Sequence, residues 1–217
     1  LLQHLRAYRV AQRALDAVVQ HSLTFLERLQ TGAWLLNTSR GPVVDGDALL
    51  AARTRGGVDA AVLDVWEHEP APRPALIDAV DLATPHIAGY AYDGKVRGTA
   101  MLYEALCDEL GVAPIWEGTD TIQPGSADTL RCTPPDPRLP ATAWRHHLAQ
   151  QAYDLRADDA ALCALTDREA DARGEAFGTL RGTYRRRREM QQHSVPETAV
   201  PPAHRRAVAQ GLTVQLV

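Results

Sequence analysis

Three short apolar runs, each ending in polar residues, constrain the fold of this chain most strongly. They are Leu35–Gly41, Leu63–Pro70 and Ala83–Gly89, all within one stretch of about sixty residues. Runs of this length are typical of buried strands, and helix-forming sequence lies between them. Alternating strands and helices predict a parallel sheet, whose ligands bind at the carboxyl ends of the strands. The sequence therefore predicts an α/β domain with its polar residues gathered at one sheet edge.

Four side chains at these strand ends could act together. Arg40 could hold a carboxylate with its planar guanidinium, and His86 could give and take a proton near neutral pH. Glu69 could hold the imidazole in one tautomer, and Asp64 would lie beside a bound ligand. Taken singly, each of the four is more often a structural or surface residue. Glu67 also competes with Glu69 for its role.

The order of these residues resembles the NAD-dependent D-2-hydroxyacid dehydrogenases, whose signature is an Arg, a Glu and a His in this chain order. The resemblance implies a Rossmann-like domain, with Arg40, Glu69 and His86 as the catalytic residues. It also implies that NAD contacts residues of all three runs, namely Thr38, Ser39, Arg40, Asp64 and Gly89. Tyr90 matches a substrate-binding position, although a half-buried aromatic capping a helix is an equal alternative.

Residues 84–90 and 93–99 further resemble one branch of this family. The branch oxidises 4-phosphoerythronate to 2-oxo-3-hydroxy-4-phosphobutanoate during pyridoxal phosphate synthesis, and it carries an extra carboxyl-terminal dimerisation domain. Residues 153–160 and 177–189 resemble that domain. Two other hypotheses stay open, an inactive remnant that acts only as a dimerisation module and another D-2-hydroxyacid dehydrogenase.

The chain divides by pattern into five parts. They are a divergent helical segment over 1–31, a partial NAD-binding domain over 32–90, a crossover helix over 91–111, a linker over 112–142 and a dimerisation domain over 143–217. No G-x-G-x-x-G, the phosphate-binding turn of such enzymes, occurs in the chain. We therefore interpret the chain as the carboxyl-terminal portion of a dehydrogenase, either a fragment or a degenerate copy.

The carboxyl-terminal part suggests a homodimer because its predicted helices have apolar faces that are too large for so small a part to bury against itself. The side chains concerned are Leu148, Leu155, Leu162, Leu165, Phe177 and Leu180. The run Arg185–Arg188 that follows them is typical of a solvated helix end, and a phosphate clamp is the sharper alternative.

Composition excludes several classes of protein. A net charge of −4 gives no bulk attraction to nucleic acid or to an anionic membrane. No apolar run is long enough to span a bilayer, and the first residues do not resemble a signal peptide, so we expect a cytoplasmic protein. The 3 cysteines have no metal-like spacing, which predicts free thiols and no zinc site.

Overall fold

The computed structural model describes residues 24–116, 118, 122, 129–130 and 138–217. These form two compact units. The first combines Arg156–Tyr184 with the described part of Leu1–Ala88, and the second combines the described part of Gly89–Leu155 with Arg185–Val217. Most of the predicted helix over 1–31 lies outside the described residues. In its described part, residues 24–27 are helical. Residues 156–184, which we expected in a separate carboxyl-terminal domain, therefore belong to the same unit as the sheet.

The helices and strands alternate as predicted over residues 33–83. In chain order the elements are β1 (Ala33–Asn37), α1 (Gly46–Thr54), β2 (Val58–Leu63), α2 (Pro74–Asp78), β3 (Leu82–Ala83), α3 (Tyr92–Leu110), α4 (Ala141–Ala152), α5 (Leu155–Cys163), α6 (Ala170–Gly182), β4 (Ser194–Val195), α7 (Pro202–Leu212) and β5 (Gln215–Leu216). Single 3₁₀ turns lie at Gly41–Val43, Met190–Gln192 and Glu197–Ala199.

The sheet of the first unit is parallel, with β2 between β1 and β3. Its register places Asn37 beside Leu63 and Leu63 beside Ala83, so the three carboxyl ends lie in one row. This confirms the predicted α/β class. The prediction that the first strand is buried on both faces is wrong, because Trp34 and Leu36 are 74% and 65% exposed.

Short-range signals in the sequence mark the start of α1 and the ends of α1 and α3. The Asp45 side chain accepts a hydrogen bond from the backbone N–H of Ala48 at 2.8 Å and so caps the N-terminus of α1. Gly56 follows α1 and Gly111 follows α3, both with positive φ, +76° and +65°. A residue without Cβ adopts this conformation at little cost, which is why glycine so often ends a helix.

The core of the first unit joins the sheet to α5 and α6. Leu162, Leu165 and Phe177 are at most 5% exposed and pack in one cluster with side chains of the sheet. The Asp159 carboxylate of α5 also accepts a hydrogen bond from the backbone N–H of Ala83 at 2.7 Å. These apolar side chains are therefore covered within their own chain, and our expectation that they need a second subunit is wrong.

The second unit has its own core, built around Trp144, Leu148, Val195 and Val208. Leu148 is fully buried there, whereas Leu155 is 40% exposed. Parallel pairing of β4 with β5 closes this core. Among the described residues, no helix combines the length and apolar character needed to cross a membrane.

Two smaller predictions can be settled. Cys107 and Cys163 are free thiols, as expected, and Cys132 lies outside the described residues. The run Arg185–Arg188 is not a helix end, because α6 stops at Gly182 and Arg188 forms an ion pair with the fully buried Asp93.

Candidate active site

The carboxyl edge of the sheet brings together the polar residues of all three runs. Asn37, Leu63 and Ala83 are neighbours in the register, and the segments that follow each strand begin from that row. The edge of an open parallel sheet is where such folds bind ligands. The candidate site therefore lies where the strand pattern predicted it.

The imidazole of His86 and the carboxylate of Glu69 are in direct contact. Nδ1 of His86 lies 2.7 Å from Oε2 of Glu69, and both side chains are partly exposed. The other oxygen of Glu69 accepts a hydrogen bond from the backbone N–H of Trp66 at 2.9 Å. Because a carboxylate only accepts, Nδ1 of His86 is the donor, and Nε2 is left to act on a ligand.

Glu67, the alternative partner for the histidine, is used elsewhere. Its Oε2 accepts a hydrogen bond from the backbone N–H of Gly46 at 2.8 Å, at the first residue of α1. A carboxylate at a helix N-terminus satisfies an otherwise unpaired donor and complements the helix dipole. The geometry therefore favours Glu69 over Glu67 as the partner of His86.

The backbone of His86 is held in an unusual conformation by its neighbours. Its φ is +56°, in the left-handed region that a side chain disfavours. The carboxylate of Asp64 accepts three hydrogen bonds from the same loop, from Thr84 Oγ1 at 2.7 Å, Ile87 N at 2.8 Å and Ala88 N at 2.9 Å. Asp64 is only 3% exposed, and the three hydrogen bonds to its carboxylate tie it to this loop.

Trp66 joins the loops that carry Glu69 and His86. Its ring is 2% exposed, and its Nε1–H donates to the backbone carbonyl of Thr84 at 2.9 Å. The sequence did not identify Trp66 or Thr84 as functional residues. The Thr-Pro-His order was a usable signal for Thr84, but nothing in the pattern showed where the Trp66 side chain would hydrogen-bond.

A side-chain turn shapes the segment that carries Arg40. The buried Asn37 accepts from the backbone N–H of Ser39 at 3.1 Å and donates to the carbonyl of Arg40 at 3.0 Å. Thr38, Ser39 and Arg40 are exposed as a result. A Cβ at Gly41 would overlap the backbone carbonyl of Trp66, so only glycine allows this segment to pass so close.

These features suit part of a dinucleotide. Thr38, Ser39 and Arg40 present hydroxyl, backbone and guanidinium donors next to the sheet edge, which are groups that could hold the nicotinamide end of NAD. Direct contacts from Asp64 and Gly89 to a cofactor stay predictions. Gly89 and Tyr90 belong to the second unit, where Lys95 Nζ lies 3.8 Å from the ring centre of Tyr90.

Known proteins resemble this chain over most of its length. Residues 2–88 match the family "D-isomer specific 2-hydroxyacid dehydrogenase, NAD binding domain". The chain is 71% identical over 192 residues, 88% of its length, to erythronate-4-phosphate dehydrogenase of Salinibacter ruber, of which it covers 49%. It is 42% identical over 187 residues to the enzyme of the same name from Cellvibrio japonicus, with 83% of this chain and 48% of that one covered.

A solved structure also matches part of the chain. It is the D-isomer specific 2-hydroxyacid dehydrogenase of Xanthobacter autotrophicus Py2 in complex with NADPH and MES, at 36% identity and a TM-score of 0.35, covering 43% of this chain and 39% of that one. The chain spans about half the length of the curated relatives named above. In its sequence identity to these relatives and in the match of residues 2–88, the chain is similar to the D-isomer specific 2-hydroxyacid dehydrogenases.

Proposed function

We propose that this chain supplies the acid–base centre of an NAD-dependent dehydrogenase. The reaction is the oxidation of 4-phosphoerythronate to 2-oxo-3-hydroxy-4-phosphobutanoate, a step of pyridoxal phosphate biosynthesis. The relatives at 71% and 42% identity, both called erythronate-4-phosphate dehydrogenase, support the choice of substrate. The observation that carries the chemistry is the 2.7 Å contact between His86 and Glu69 at the carboxyl edge of a parallel sheet.

The roles of the residues follow from their chemistry. NAD, when bound, supplies the acceptor for the hydride that leaves the hydroxyl-bearing carbon of the substrate. His86 takes the hydroxyl proton on Nε2 as the carbonyl forms, because its Nδ1 donates to Glu69. The carboxylate of Glu69 stabilises the resulting imidazolium. Arg40, exposed beside the same edge, holds the substrate carboxylate, for which its planar pair of N–H groups is suited.

The proposal is tested by following NADH formation with the purified chain at millimolar NAD and 4-phosphoerythronate. We expect His86→Gln to lower the rate by about a hundredfold or more, the range for a lost general base. His146→Gln, an exposed histidine of α4, is the matched control and should leave the rate within about twofold. Equal rates for the two variants would contradict the role of His86.

The same assay separates the alternative substrate from the proposed one. Erythronate without its phosphate should be oxidised much more slowly if a phosphorylated acid is the substrate. Equal rates would favour another 2-hydroxyacid. If wild-type protein forms no NADH with either acid, the inactive remnant becomes the better hypothesis.

A homodimer and a cytoplasmic location complete the proposal. The homodimer is supported by the resemblance of residues 153–160 and 177–189 to a dimerisation domain and no longer by the burial argument. Light scattering on the purified chain measures its mass directly, and a monomer at tens of micromolar would remove the homodimer from the proposal.

A further inference from the structure

Trp66 contacts all three of the segments that carry the proposed catalytic residues. Its backbone carbonyl lies against Gly41, directly after Arg40, where even a Cβ would overlap it. Its backbone N–H donates to Oε1 of Glu69 at 2.9 Å. Its indole Nε1–H donates to the backbone carbonyl of Thr84 in the third segment, also at 2.9 Å. The three segments are therefore tied together at one residue of the first unit.

The carbonyl of Thr84 closes the turn that presents His86. It accepts a hydrogen bond from the backbone N–H of His86 at 3.0 Å, across the single residue Pro85. A bond between residues two apart makes a three-residue turn, and the proline ring at its centre fixes φ there. A carbonyl oxygen has two lone pairs, so it can accept from His86 and from Trp66 together. The direction of this carbonyl and the position of the His86 backbone are therefore coupled.

The indole can hold that carbonyl firmly because both groups are removed from water. Trp66 is 2% exposed and belongs to the core cluster of the first unit, and Thr84 is 5% exposed. A ring packed on all sides keeps one orientation, and a hydrogen bond shielded from water is stronger than an exposed one. Phenylalanine would supply an apolar ring for the core but no donor. Packing thus explains an aromatic residue at position 66, and the hydrogen bond to Thr84 is what tryptophan adds.

We propose that the indole N–H of Trp66 positions His86 for proton transfer. By holding the Thr84 carbonyl, it fixes the turn from which the imidazole reaches Glu69. The Trp66 backbone N–H holds the carboxylate of the same Glu69. Trp66 is thus a positioning residue that acts through Thr84. Its effect on turnover rests on the proposed function, whereas its effect on the His86 imidazole rests on these hydrogen bonds alone.

Trp66→Phe tests the proposal, with Trp144→Phe as the matched control. Trp144 is also 2% exposed, it lies in the second unit, and its Nε1 has no hydrogen-bond partner among the described residues. Both substitutions remove the same atoms from a core, and the one at position 66 also removes a hydrogen bond. If urea unfolding shows that Trp66→Phe does not fold, β-(3-benzothienyl)alanine at position 66 replaces it. That side chain keeps the two fused rings and has sulfur in place of the N–H.

The first readout is the tautomer of His86, measured by nitrogen NMR on the isotope-labelled full chain without NAD. The pH is one at which imidazoles are neutral, and His86→Gln assigns the signals. Wild type should hold mostly the Nδ1–H tautomer, because Nδ1 donates to Glu69. Trp66→Phe should raise the ratio of the Nε2–H to the Nδ1–H tautomer by about threefold or more, the order of a lost neutral hydrogen bond. Trp144→Phe should leave this ratio unchanged.

The second readout is the pair of kcat and KM for 4-phosphoerythronate. Trp66→Phe should lower kcat by about threefold to tenfold and leave KM within about twofold, because a misdirected His86 affects proton transfer more than binding. A tautomer ratio or a kcat equal to that of wild type overturns the positioning role, and so does an equal change in Trp144→Phe. If wild type forms no NADH, the proposed function fails, and the tautomer ratio alone decides whether Trp66 positions His86.

Discussion

At the scale of single residues, the backbone conformation of His86 depends on hydrogen bonds from its loop to the buried carboxylate of Asp64. Its left-handed backbone carries a steric cost of about 1–2 kcal/mol, which the surrounding hydrogen bonds must offset. Asp64 provides those bonds by accepting from both residues that follow the histidine. The pair with Glu69 then sets the direction of the ring. A buried Asp64 can therefore affect catalysis, because it holds the backbone that positions His86.

We predict that Asp64→Asn destabilises the fold and impairs catalysis together. An amide has one acceptor oxygen where the loop needs two, so a buried donor of Ile87 or Ala88 is left unsatisfied. The expected loss in free energy of unfolding is about 1–3 kcal/mol. Urea unfolding measures it, with Asp59→Asn, an exposed residue of β2, as the control. Equal stabilities of the two variants would show that the Asp64 contacts contribute little.

The roles of Glu69 and Glu67 can be separated by parallel substitutions. Glu69→Gln should lower kcat by about tenfold to a hundredfold, because the amide supports a charged imidazole less well than a carboxylate does. Glu67→Gln keeps an acceptor for the Gly46 N–H and should change kcat by less than about threefold, since Glu67 does not contact His86. Steady-state kinetics at saturating NAD decides between them, and the reverse ranking would assign the relay to Glu67.

At the scale of whole elements, the sequence predicted local structure better than it predicted packing partners. The strands, the Asp45 cap and the glycine ends of α1 and α3 follow from short-range rules that act within a few residues. The apolar faces of α5 and α6 were also visible in the sequence. Their partner was not, because periodicity shows that a face is buried without showing what covers it.

The same limit explains what was missed in the site. Arg40, Glu69 and His86 were proposed as catalytic residues because strand-end position and family order both point to them. The hydrogen bond from Trp66 to Thr84 joins residues eighteen positions apart, a distance at which no sequence period applies. The charged run Arg185–Arg188 was misjudged for a related reason. Its partner Asp93 lies more than ninety positions away.

The packing of α6 on the sheet predicts a large effect of Phe177→Ala. Phe177 is fully buried in the core that contains the sheet, and loss of such a ring leaves a cavity that costs about 3–5 kcal/mol. Phe25→Ala is the control, since that side chain is 52% exposed and should cost less than about 1 kcal/mol. Thermal or urea unfolding reports both. If Phe177→Ala lowered the mass measured by light scattering and left the free energy of unfolding unchanged, Phe177 would belong to a subunit interface after all.

The anchor between Asp93 and Arg188 predicts an acid-sensitive second unit. Burial by itself would raise the pKa of Asp93, but hydrogen bonds from Arg188 and from the Glu189 backbone, with the charge of Arg188, lower it below the ordinary 3.8. Since the folded-state pKa is the lower one, this stabilisation is complete above the unfolded-state value. It is lost as the pH falls through the folded-state pKa.

Urea unfolding at pH 7 and at a series of pH values below 4 measures this loss. Asp93→Asn should be less stable than wild type at neutral pH, and the difference between the two proteins should shrink as the pH falls. Glu104→Gln, which changes an exposed carboxylate of α3 in the same unit, is the control for carboxylates in general. A difference that stays constant over the whole range would contradict the role of the Asp93 charge.

At the scale of the molecule, the first unit carries the pair of His86 and Glu69 at its sheet edge. The second unit carries the arginines of the run 185–188, which lie over tyrosine rings. Relatives named erythronate-4-phosphate dehydrogenase are about twice as long as this chain. Under the proposed function, the sheet edge described here would hold the nicotinamide end of a dinucleotide. The phosphate-binding G-x-G-x-x-G turn that would hold the pyrophosphate does not occur among the 217 residues.

We therefore predict that the purified chain gains little from the adenosine half of NAD. A dinucleotide is normally held by its pyrophosphate at a helix N-terminus that follows the glycine-rich turn, and this contribution should be missing. NAD and nicotinamide mononucleotide should bind with Kd values within about fivefold of each other, both well weaker than about 10 μM, because only the nicotinamide end is contacted. Calorimetric titration measures both. Arg40→Gln should raise the Kd values of both ligands by the same factor. If wild-type protein bound NAD a hundredfold more tightly than the mononucleotide, other residues of this chain would have to hold the pyrophosphate.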